Sequence, residues 1–328
     1  MVLLLWACTD PADTADTAWE RGENPHPLDE LLRVNHVQAE GSHNSTHLQP
    51  DTPVDDSHRY SHAPLAAQLS ELGVRQLELD LHRSEEGVWH VFHIPVIDQE
   101  TTCLQLSDCL EEVKQWSDEA GWHLPLMIWM EPKDDLDDAV DGYELITELD
   151  SLDRAIRQVF PPSRLITPDD LRAGHPDLPT ALAQDGWPLL GEARGRVIFA
   201  LLDSGSHREL YLQGHPTLEG RVLFVDSSQV DDPFAATFKD GSPEDIRAWT
   251  EAGFLVTTNA AGASSTDEQA QQEWEEALAA GAHFVATDLP GPVQGRDFQA
   301  QVPGGQPAGC NPVSAPQECT AEAIEALD

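Results

Sequence analysis

Hydrophobic and polar residues alternate strictly in one stretch of the chain, between positions 76 and 81. Leucine occupies every second position there, and Glu78 and Asp80 lie between the leucines. Successive side chains of a strand point to opposite faces, so this pattern predicts a strand with a leucine face and two carboxylates side by side on the other face. A strand whose polar face simply meets water would show the same alternation.

The segments that follow favour a different interpretation. A turn over residues 84–87 precedes a second predicted strand over 88–92, which brings His93 to its end. The apolar run 124–130 ends in Glu131, and a strand that is apolar on both faces is typical of a parallel sheet covered by helices. Carboxylates and a histidine at neighbouring strand ends are hard oxygen ligands beside an acid–base group, which indicates a metal-assisted active site.

The remaining patterns predict strands and helices in turn. Strands are predicted at 36–40, 76–81, 88–92, 124–131, 196–202, 222–226, 254–258 and 283–288. Helices are predicted at 64–72, 107–119, 143–160, 179–184, 243–252 and 266–280. Eight strands with helices between them predict an α/β fold, a somewhat distorted (β/α)8 TIM-like barrel in a single domain over residues 25–296. An open doubly wound sheet is the weaker alternative, because no glycine-rich nucleotide fingerprint follows a strand. The Gly- and Pro-rich segment 297–328 is expected to be a loosely ordered tail with a possible disulfide loop.

The charge balance narrows the range of partners. The chain has 59 acidic and 18 basic residues and a formal net charge of −41. Phosphate backbones are bound by lysine and arginine, so this balance argues against a nucleic-acid partner. Hydrophobic residues make up 40% of the chain, which provides for a sizeable core and excludes wholesale disorder.

The N-terminus is similar to an export signal. Residues Leu5–Cys8 resemble a bacterial lipoprotein cleavage box, so residues 1–8 are predicted as the signal and Cys8 as the lipidation site. The apolar run is short and lacks a basic start, which leaves open a start further upstream or an accidental match. Residues 9–24 repeat Ala-Asp-Thr and predict an acidic, flexible tether. We therefore expect an exported protein, either a lipoprotein of the bacterial cell envelope or a secreted or periplasmic protein.

The other four cysteines fit an oxidising compartment. Cys103 lies close to Cys109 in the sequence, and Cys310 lies close to Cys319, so each pair could close a small disulfide loop. Four unpaired buried thiols are the alternative. No run of about 20 apolar residues occurs, so no membrane-spanning helix is predicted.

Several polar side chains are predicted to converge on one rim of the barrel, because the chemistry of such barrels lies at the C-terminal ends of the strands. They are His43, Asn44, Glu78, Asp80, His93 and Glu131. Gly41 precedes the first two and permits a sharp exit from the first strand. Six such residues on one rim are hard to explain by structure alone.

These residues lie in four short motifs with a family resemblance. The motifs are Gly41–Ser45, Glu78–Asp80, Phe92–Pro95 and Ile128–Glu131. With these motifs in this order, the chain resembles the phosphoinositide-specific phospholipase C superfamily of phosphodiesterases, most closely its calcium-dependent microbial branch. The similarity extends from about residue 32 to residue 290, and each motif alone is weak.

The resemblance implies a calcium site and a pair of catalytic histidines. It places Ca2+, in preference to Mg2+, on Asn44, Glu78, Asp80 and Glu131. His93 would protonate the leaving diacylglycerol oxygen. His43 would either act as the base or stabilise the phosphorane, and Glu78 or Glu131 could also take the proton. The implied reaction cleaves phosphatidylinositol-type lipids at a membrane surface into diacylglycerol and a cyclic inositol phosphate that can be hydrolysed further.

Other roles and functions stay open at this point. Lys133 would hold a substrate phosphate or pair with Asp134, and Asp288 would contact substrate or serve as a structural hydrogen-bonding group. The remaining histidines of these segments, His47, His82 and His90, are expected at the surface or in support of the site. A glycerophosphodiester phosphodiesterase or a sphingomyelinase-D-like enzyme would also use a Glu-x-Asp pair and two histidines, although the His-Arg-Gly motif of the former is absent. A surface lipoprotein that binds head groups without turnover is the alternative outside the enzymes. The sequence leaves the oligomeric state undetermined.

Overall fold

The computed structural model describes residues 23–137, 140–293, 295–305 and 307–325. The predicted lipoprotein signal with Cys8, and residues 9–22 of the predicted tether, lie outside these described residues. The described strands are β1 Val37–Ser42, β2 Gln76–Ser84, β3 Trp89–Val91, β4 Leu126–Pro132, β5 Tyr143–Glu144, β6 Val197–Leu201, β7 Phe224–Val225, β8 Thr237–Lys239, β9 Leu255–Asn259, β10 Phe284–Thr287 and β11 Ala308–Cys310.

Helices cover the strands on the outside. They are α1 Leu65–Glu71, α2 Leu106–Ala120, α3 Asp150–Val159, α4 Pro168–Arg172, α5 Leu178–Gln184, α6 Leu190–Ala193, α7 Ser206–Leu212, α8 Pro243–Glu251, α9 Asp267–Ala280 and α10 Ala321–Ile324. Short 3-10 helices occur at Val34–His36, Asp56–His58 and Pro162–Arg164. Within the described ranges, no helix is long and apolar enough to cross a membrane.

Eight parallel strands form a nearly closed barrel, which confirms the predicted fold class. Their order is β7-β6-β4-β2-β1-β10-β9-β8. The last gap is bridged by a single parallel pair, Asp226 with Thr237. Strands β1 and β2 also meet at one pair, Gly41 with Gln76. A Cβ on Gly41 would lie 2.1 Å from Gln76 Oε1, so a larger residue here would have to displace the Gln76 side chain.

One predicted barrel strand was wrong and another was missed. The segment before His93 forms β3, which pairs antiparallel with β2 through Leu81 and Val91 and lies off the barrel. The connection between the two strands is a short turn, and a parallel pairing would need a crossover of about a dozen residues or more. The missing barrel strand is β8, whose three residues are too few to show a period.

The predicted helix over residues 143–160 begins later than expected. Tyr143–Glu144 forms β5 and pairs antiparallel with the end of β2. The Asp134 carboxylate accepts a hydrogen bond from the Ile146 backbone at 2.7 Å, which holds this segment outside the helix. Helix α3 begins at Asp150. Between residues 161 and 195, three short α-helices and one 3-10 helix replace the single helix predicted. Two of the α-helices have N-caps, at Thr167 and Asp177.

The C-terminal segment is docked on the barrel, so the expectation of a loosely ordered tail was wrong. Strand β11 pairs antiparallel with the start of β1. Further on, Glu325 binds the buried Arg75 guanidinium with two contacts of 3.0 and 2.8 Å. Composition alone predicted a loosely ordered tail here. The backbone pairing and the distant arginine that hold the segment leave no local pattern in the sequence.

The two cysteine pairs are disulfides in this structure. Cys103 is bonded to Cys109 and Cys310 to Cys319, with Cα–Cα distances of 5.6 and 5.9 Å. The first disulfide leads into α2 on the barrel wall. The second closes a loop directly after β11.

Candidate active site

Three buried side-chain oxygens lie on the loop after β1 and on β2. They are Asn44 Oδ1, Glu78 Oε2 and Asp80 Oδ1; Lys239 Nζ lies 3.2 Å from the Glu78 oxygen, and Lys133 Nζ lies 3.7 Å from the Asp80 oxygen. The three residues are only 1–3% exposed. Burial of two carboxylates and an amide oxygen with so few donors is costly, so the cluster suits a cation. Amide and carboxylate oxygens are the ligands that Ca2+ prefers, and the residues present fit that ion.

Local structure explains why these oxygens lie together. Ser45 holds the loop after β1 against β2 by two hydrogen bonds. Its Oγ accepts from the Glu78 backbone N–H at 2.8 Å, and its own backbone N–H donates to the Glu78 carbonyl. Asn44 has a φ of 44°, a left-handed conformation that asparagine tolerates better than most residues. Asp80 is in register with Glu131 on the neighbouring β4, which brings the fourth predicted ligand to the same rim.

The carboxylates also perturb one another. Burial raises the pKa of Asp80 well above its ordinary value. The charges of Glu131 and Glu78 raise it further, against the opposing effect of Lys133. A divalent cation would relieve this repulsion.

Two lysines lie against the carboxylates. Lys239 on β8 is 3.2 Å from Glu78 Oε2 and 2.8 Å from Asn259 Oδ1. Lys133 is 2.9 Å from Glu131 Oε1 and 3.7 Å from Asp80 Oδ1. Although burial lowers the pKa of each lysine, the neighbouring carboxylates outweigh it and hold both values above the ordinary one.

Lys239 is therefore a site residue that the sequence did not reveal. It lies on the one barrel strand that was not predicted, so nothing marked it as part of the rim. Lys133 pairs with Glu131 and Asp80. Its predicted alternative partner, Asp134, instead accepts from the Ile146 backbone and lies 3.2 Å from His207.

His43 faces the same carboxylates. Its Nδ1 lies 2.7 Å from Asp288 Oδ1, and its Nε2 lies 3.5 Å from Glu78 Oε1. Burial alone would lower the His43 pKa, but the Glu78 charge and the Asp288 hydrogen bond raise it to about 9. Asp288 is fixed in turn by the Ala263 backbone, which donates to Oδ2 at 2.8 Å. In the structure Asp288 thus orients His43.

His93 lies on the loop after β3, close to the rim but not at the end of a barrel strand. Its Nδ1 is 2.7 Å from Asp98 Oδ2. Burial lowers the pKa of His93, against the Asp98 hydrogen bond. The residue lines a cavity of about 300 Å³ together with Lys133 and Leu136. Because Lys133 also binds Glu131, this cavity adjoins the carboxylate cluster.

The three further histidines of these segments contact groups other than the rim carboxylates. His82 is fully buried, stacks on Phe92 with ring centroids 3.9 Å apart, and lies 2.9 Å from Asp137 Oδ1. His47 lies 3.0 Å from both Asp98 oxygens. His90 faces the Tyr143 hydroxyl at 3.1 Å. Asp98 was also missed, because its role depends on partners up to 51 positions away in the chain.

A family model described as phosphoinositide phospholipase C, Ca2+-dependent, matches residues 32–90 and 85–312. These ranges cover most of the chain and include every residue of the rim described above. The comparison with curated proteins gives no significant match.

Solved structures show the same fold. A calcium-dependent phosphoinositol-specific phospholipase C from Pseudomonas sp., in a myo-inositol complex, is 19% identical with a TM-score of 0.61, over 88% of this chain and 100% of that chain. A second crystal form of the apo Pseudomonas enzyme is 20% identical with a TM-score of 0.60, over 87% and 97%. The calcium-dependent phosphatidylinositol-specific phospholipase C from Streptomyces antibioticus is 18% identical with a TM-score of 0.57, over 78% and 95%.

Proposed function

The chain belongs to the Ca2+-dependent phosphoinositide phospholipase C family, and from this premise we propose that it cleaves phosphatidylinositol-type lipids to diacylglycerol and a cyclic inositol phosphate. It is an enzyme of the phosphodiesterase type with Ca2+ as its cofactor. The observation that carries the proposal is the set of buried oxygens on Asn44, Glu78 and Asp80, together with His43 and His93, each of which is held by a carboxylate.

Asn44, Glu78, Asp80 and Glu131 would hold the calcium ion. Bound there, Ca2+ would make an inositol 2-hydroxyl more acidic and offset the negative charge that develops on the phosphate. Lys239 and Lys133 hold the Glu78 and Glu131 carboxylates in place. Lys133 also lines the cavity beside His93, where it can contact a substrate phosphate.

The two histidines divide the proton transfer. Asp288 accepts from His43 Nδ1–H, and the Glu78 charge that raises the His43 pKa keeps Nε2 protonated. A cation bound by Glu78 would offset that charge, so that Nε2 could take the proton of the attacking 2-hydroxyl. Asp98 accepts from His93 Nδ1–H, which leaves the other ring nitrogen for the cavity, where it would protonate the leaving diacylglycerol oxygen. A neighbouring hydroxyl as nucleophile yields a cyclic phosphate, whereas water as nucleophile would not.

Exposed apolar side chains beside the cavity suit a lipid substrate. Val96 is 73% exposed, and Ile97 and Leu136 are 42% and 47% exposed. Leu136 itself lines the cavity with His93. We propose that these side chains face the membrane during turnover, and that the lipid anchor predicted at Cys8 holds the enzyme near it.

Phosphorus NMR of phosphatidylinositol vesicles tests the proposal. With Ca2+ the protein should form a cyclic inositol phosphate, and excess chelator should stop the reaction. His93→Ala should reduce turnover about 10²–10⁴-fold, the usual contribution of acid–base catalysis, with Ca2+ affinity retained. Glu78→Gln should weaken Ca2+ binding first.

His175→Ala is a matched control, because His175 also pairs with a carboxylate, that of Asp185, on the connection between α4 and α5. It should retain full turnover. Full turnover in His93→Ala or in chelator would contradict the mechanism. A linear phosphate as the first product would instead favour a glycerophosphodiesterase-type reaction.

A further inference from the structure

A second cluster of metal-ligating side chains lies beside the calcium site. His47, His58 and His93 converge on the carboxylate of Asp98. The distances to Asp98 Oδ2 are 3.0 Å from His47 Nε2, 3.1 Å from His58 Nδ1 and 2.7 Å from His93 Nδ1. His47, His58 and Asp98 are 3%, 8% and 0% exposed. The proposed mechanism uses His93 alone among these four.

Three ring nitrogens share one carboxylate. His47 Nε2 lies 3.0 Å from both Asp98 oxygens, while His58 Nδ1 and His93 Nδ1 approach Oδ2. His58 Nδ1 is buried and forms no hydrogen bond with any described residue, although it is 3.1 Å from that oxygen. A nitrogen so placed offers its lone pair to the centre of the cluster.

We propose that His47, His93 and Asp98, with His58 against the same carboxylate, form a second metal site, which takes a Zn2+-type transition ion and is separate from the calcium site. One ligand atom each of His47, His93 and Asp98 lie within 4.8 Å of one another, and two imidazoles with a carboxylate are a donor set that zinc favours, with the fourth position left to His58 or to water. Zinc bonds of about 2.0–2.1 Å place such ligand atoms about 3.3 Å apart. The observed distances to Asp98, between 2.7 and 3.1 Å, would need only a few tenths of an ångström of expansion.

Neighbouring residues hold the side chains of this second metal site in place. Tyr60 stacks on the His47 ring with centroids 4.2 Å apart, and the 3-10 helix Asp56–His58 fixes the third imidazole. The His58 side chain is 10% exposed and that of His93 is 18% exposed, so an ion has a route from solvent. The His47 backbone donates to the Asn44 carbonyl at 2.8 Å, which places the nitrogen-rich site one turn from the oxygen-only site.

Zinc binding and the proposed catalysis would exclude one another, a consequence that rests on the proposed function. His47 and His93 would bind the metal through the nitrogen that otherwise holds the proton shared with Asp98. That proton moves to the other ring nitrogen or is released to solvent. His93 could then give up its remaining N–H only as an imidazolate, and a neutral zinc-bound imidazole is a poor acid. The site would therefore inhibit hydrolysis.

Titration of the full chain with ZnCl2 in saturating Ca2+, followed by calorimetry, tests the site independently of activity. We expect one zinc per chain, and a loss of affinity of at least about 10-fold in His58→Asn, by analogy with the losses that follow removal of supporting groups. Co2+ should show the visible spectrum of tetrahedral coordination. His58→Gln provides a second variant in case the first fails to fold, and His175→Asn, which removes another His–Asp pair, should bind zinc like the parent protein.

Hydrolysis measured in parallel separates the two proposals. Zinc should inhibit the parent protein, and the inhibition constant should rise in His58→Asn by the same factor as the dissociation constant. Zinc that binds without dependence on His58, or that Ca2+ displaces competitively, would overturn the site. Absence of hydrolysis together with His58-dependent zinc binding would refute the proposed function and leave the metal site standing.

Discussion

The charge balance of the active site can be tested by replacing Lys239 with methionine, which keeps the shape of the side chain and removes its charge. Lys239 and Glu78 have side chains that are 2% and 1% exposed and are 3.2 Å apart. Breaking such a buried pair leaves the Glu78 carboxylate without its cation and costs about 3–5 kcal/mol of unfolding free energy.

Lys133→Met is the matched control. Lys133 also binds a carboxylate of the rim, but its side chain is 28% exposed and that of Glu131 is 24% exposed. Water screens this pair, and the contact of Lys133 with the buried Asp80 is longer, at 3.7 Å, so loss of the Lys133 charge should cost less than loss of the Lys239 charge, on the order of 1 kcal/mol. Without calcium, Lys239→Met should therefore be destabilised several times as much as Lys133→Met.

Calcium should reduce the difference between Lys239→Met and the parent protein, since a cation bound by Glu78 replaces the missing charge. Ligand at 100 times its dissociation constant stabilises a protein by about 2.7 kcal/mol, and each tenfold gain in affinity adds about 1.4 kcal/mol. Urea unfolding in chelator and in Ca2+, followed by tryptophan fluorescence, measures these values. Equal losses in the two lysine variants, or a difference that calcium leaves unchanged, would refute the reasoning.

Further predictions concern the C-terminal segment and the N-terminus. Glu325→Gln should cost about 3–5 kcal/mol in urea unfolding because Arg75 is left buried with its charge uncompensated. Burial alone would raise the pKa of Glu325, but Arg75 holds it below the ordinary 4.5. The stabilisation by this pair is therefore complete above about pH 4.5 and is lost as the pH falls through the lower folded value, so Glu325→Gln should lose less stability over that range. If the unfolding free energies of the variant and the parent protein fall equally with pH, the assignment is contradicted. The double replacement Cys310→Ser and Cys319→Ser opens a loop of sequence separation 9 and should cost about 2–3 kcal/mol, with reducing agent as the check on the parent protein. Cys8→Ser should release the protein from the membrane fraction of a producing bacterium, and unchanged fractionation would refute the lipoprotein prediction.

The alternating pattern from residue 76 to 81 determined a large part of the chemistry. It required Glu78 and Asp80 to share one strand face, and the apolar run before Glu131 required a buried parallel strand beside it. Periodicity also located seven of the eight barrel strands closely enough to place Asn44 and His43 on the same rim. Local pattern is sufficient here because burial of one face imposes a period on the sequence.

Only the tertiary structure decided which segments close the barrel and which groups surround the site. The strand before His93 has the same local pattern as the barrel strands, yet the short turn before it makes it pair as a hairpin with β2. The three-residue β8 is too short to show a period, yet it places Lys239 at the site. The role of Asp98 depends on histidines that loops bring together. The role of Glu325 depends on Arg75, which lies 250 positions earlier in the chain. Contacts of this kind depend on distances in space between residues far apart in the chain, and these leave no trace in local hydrophobic pattern.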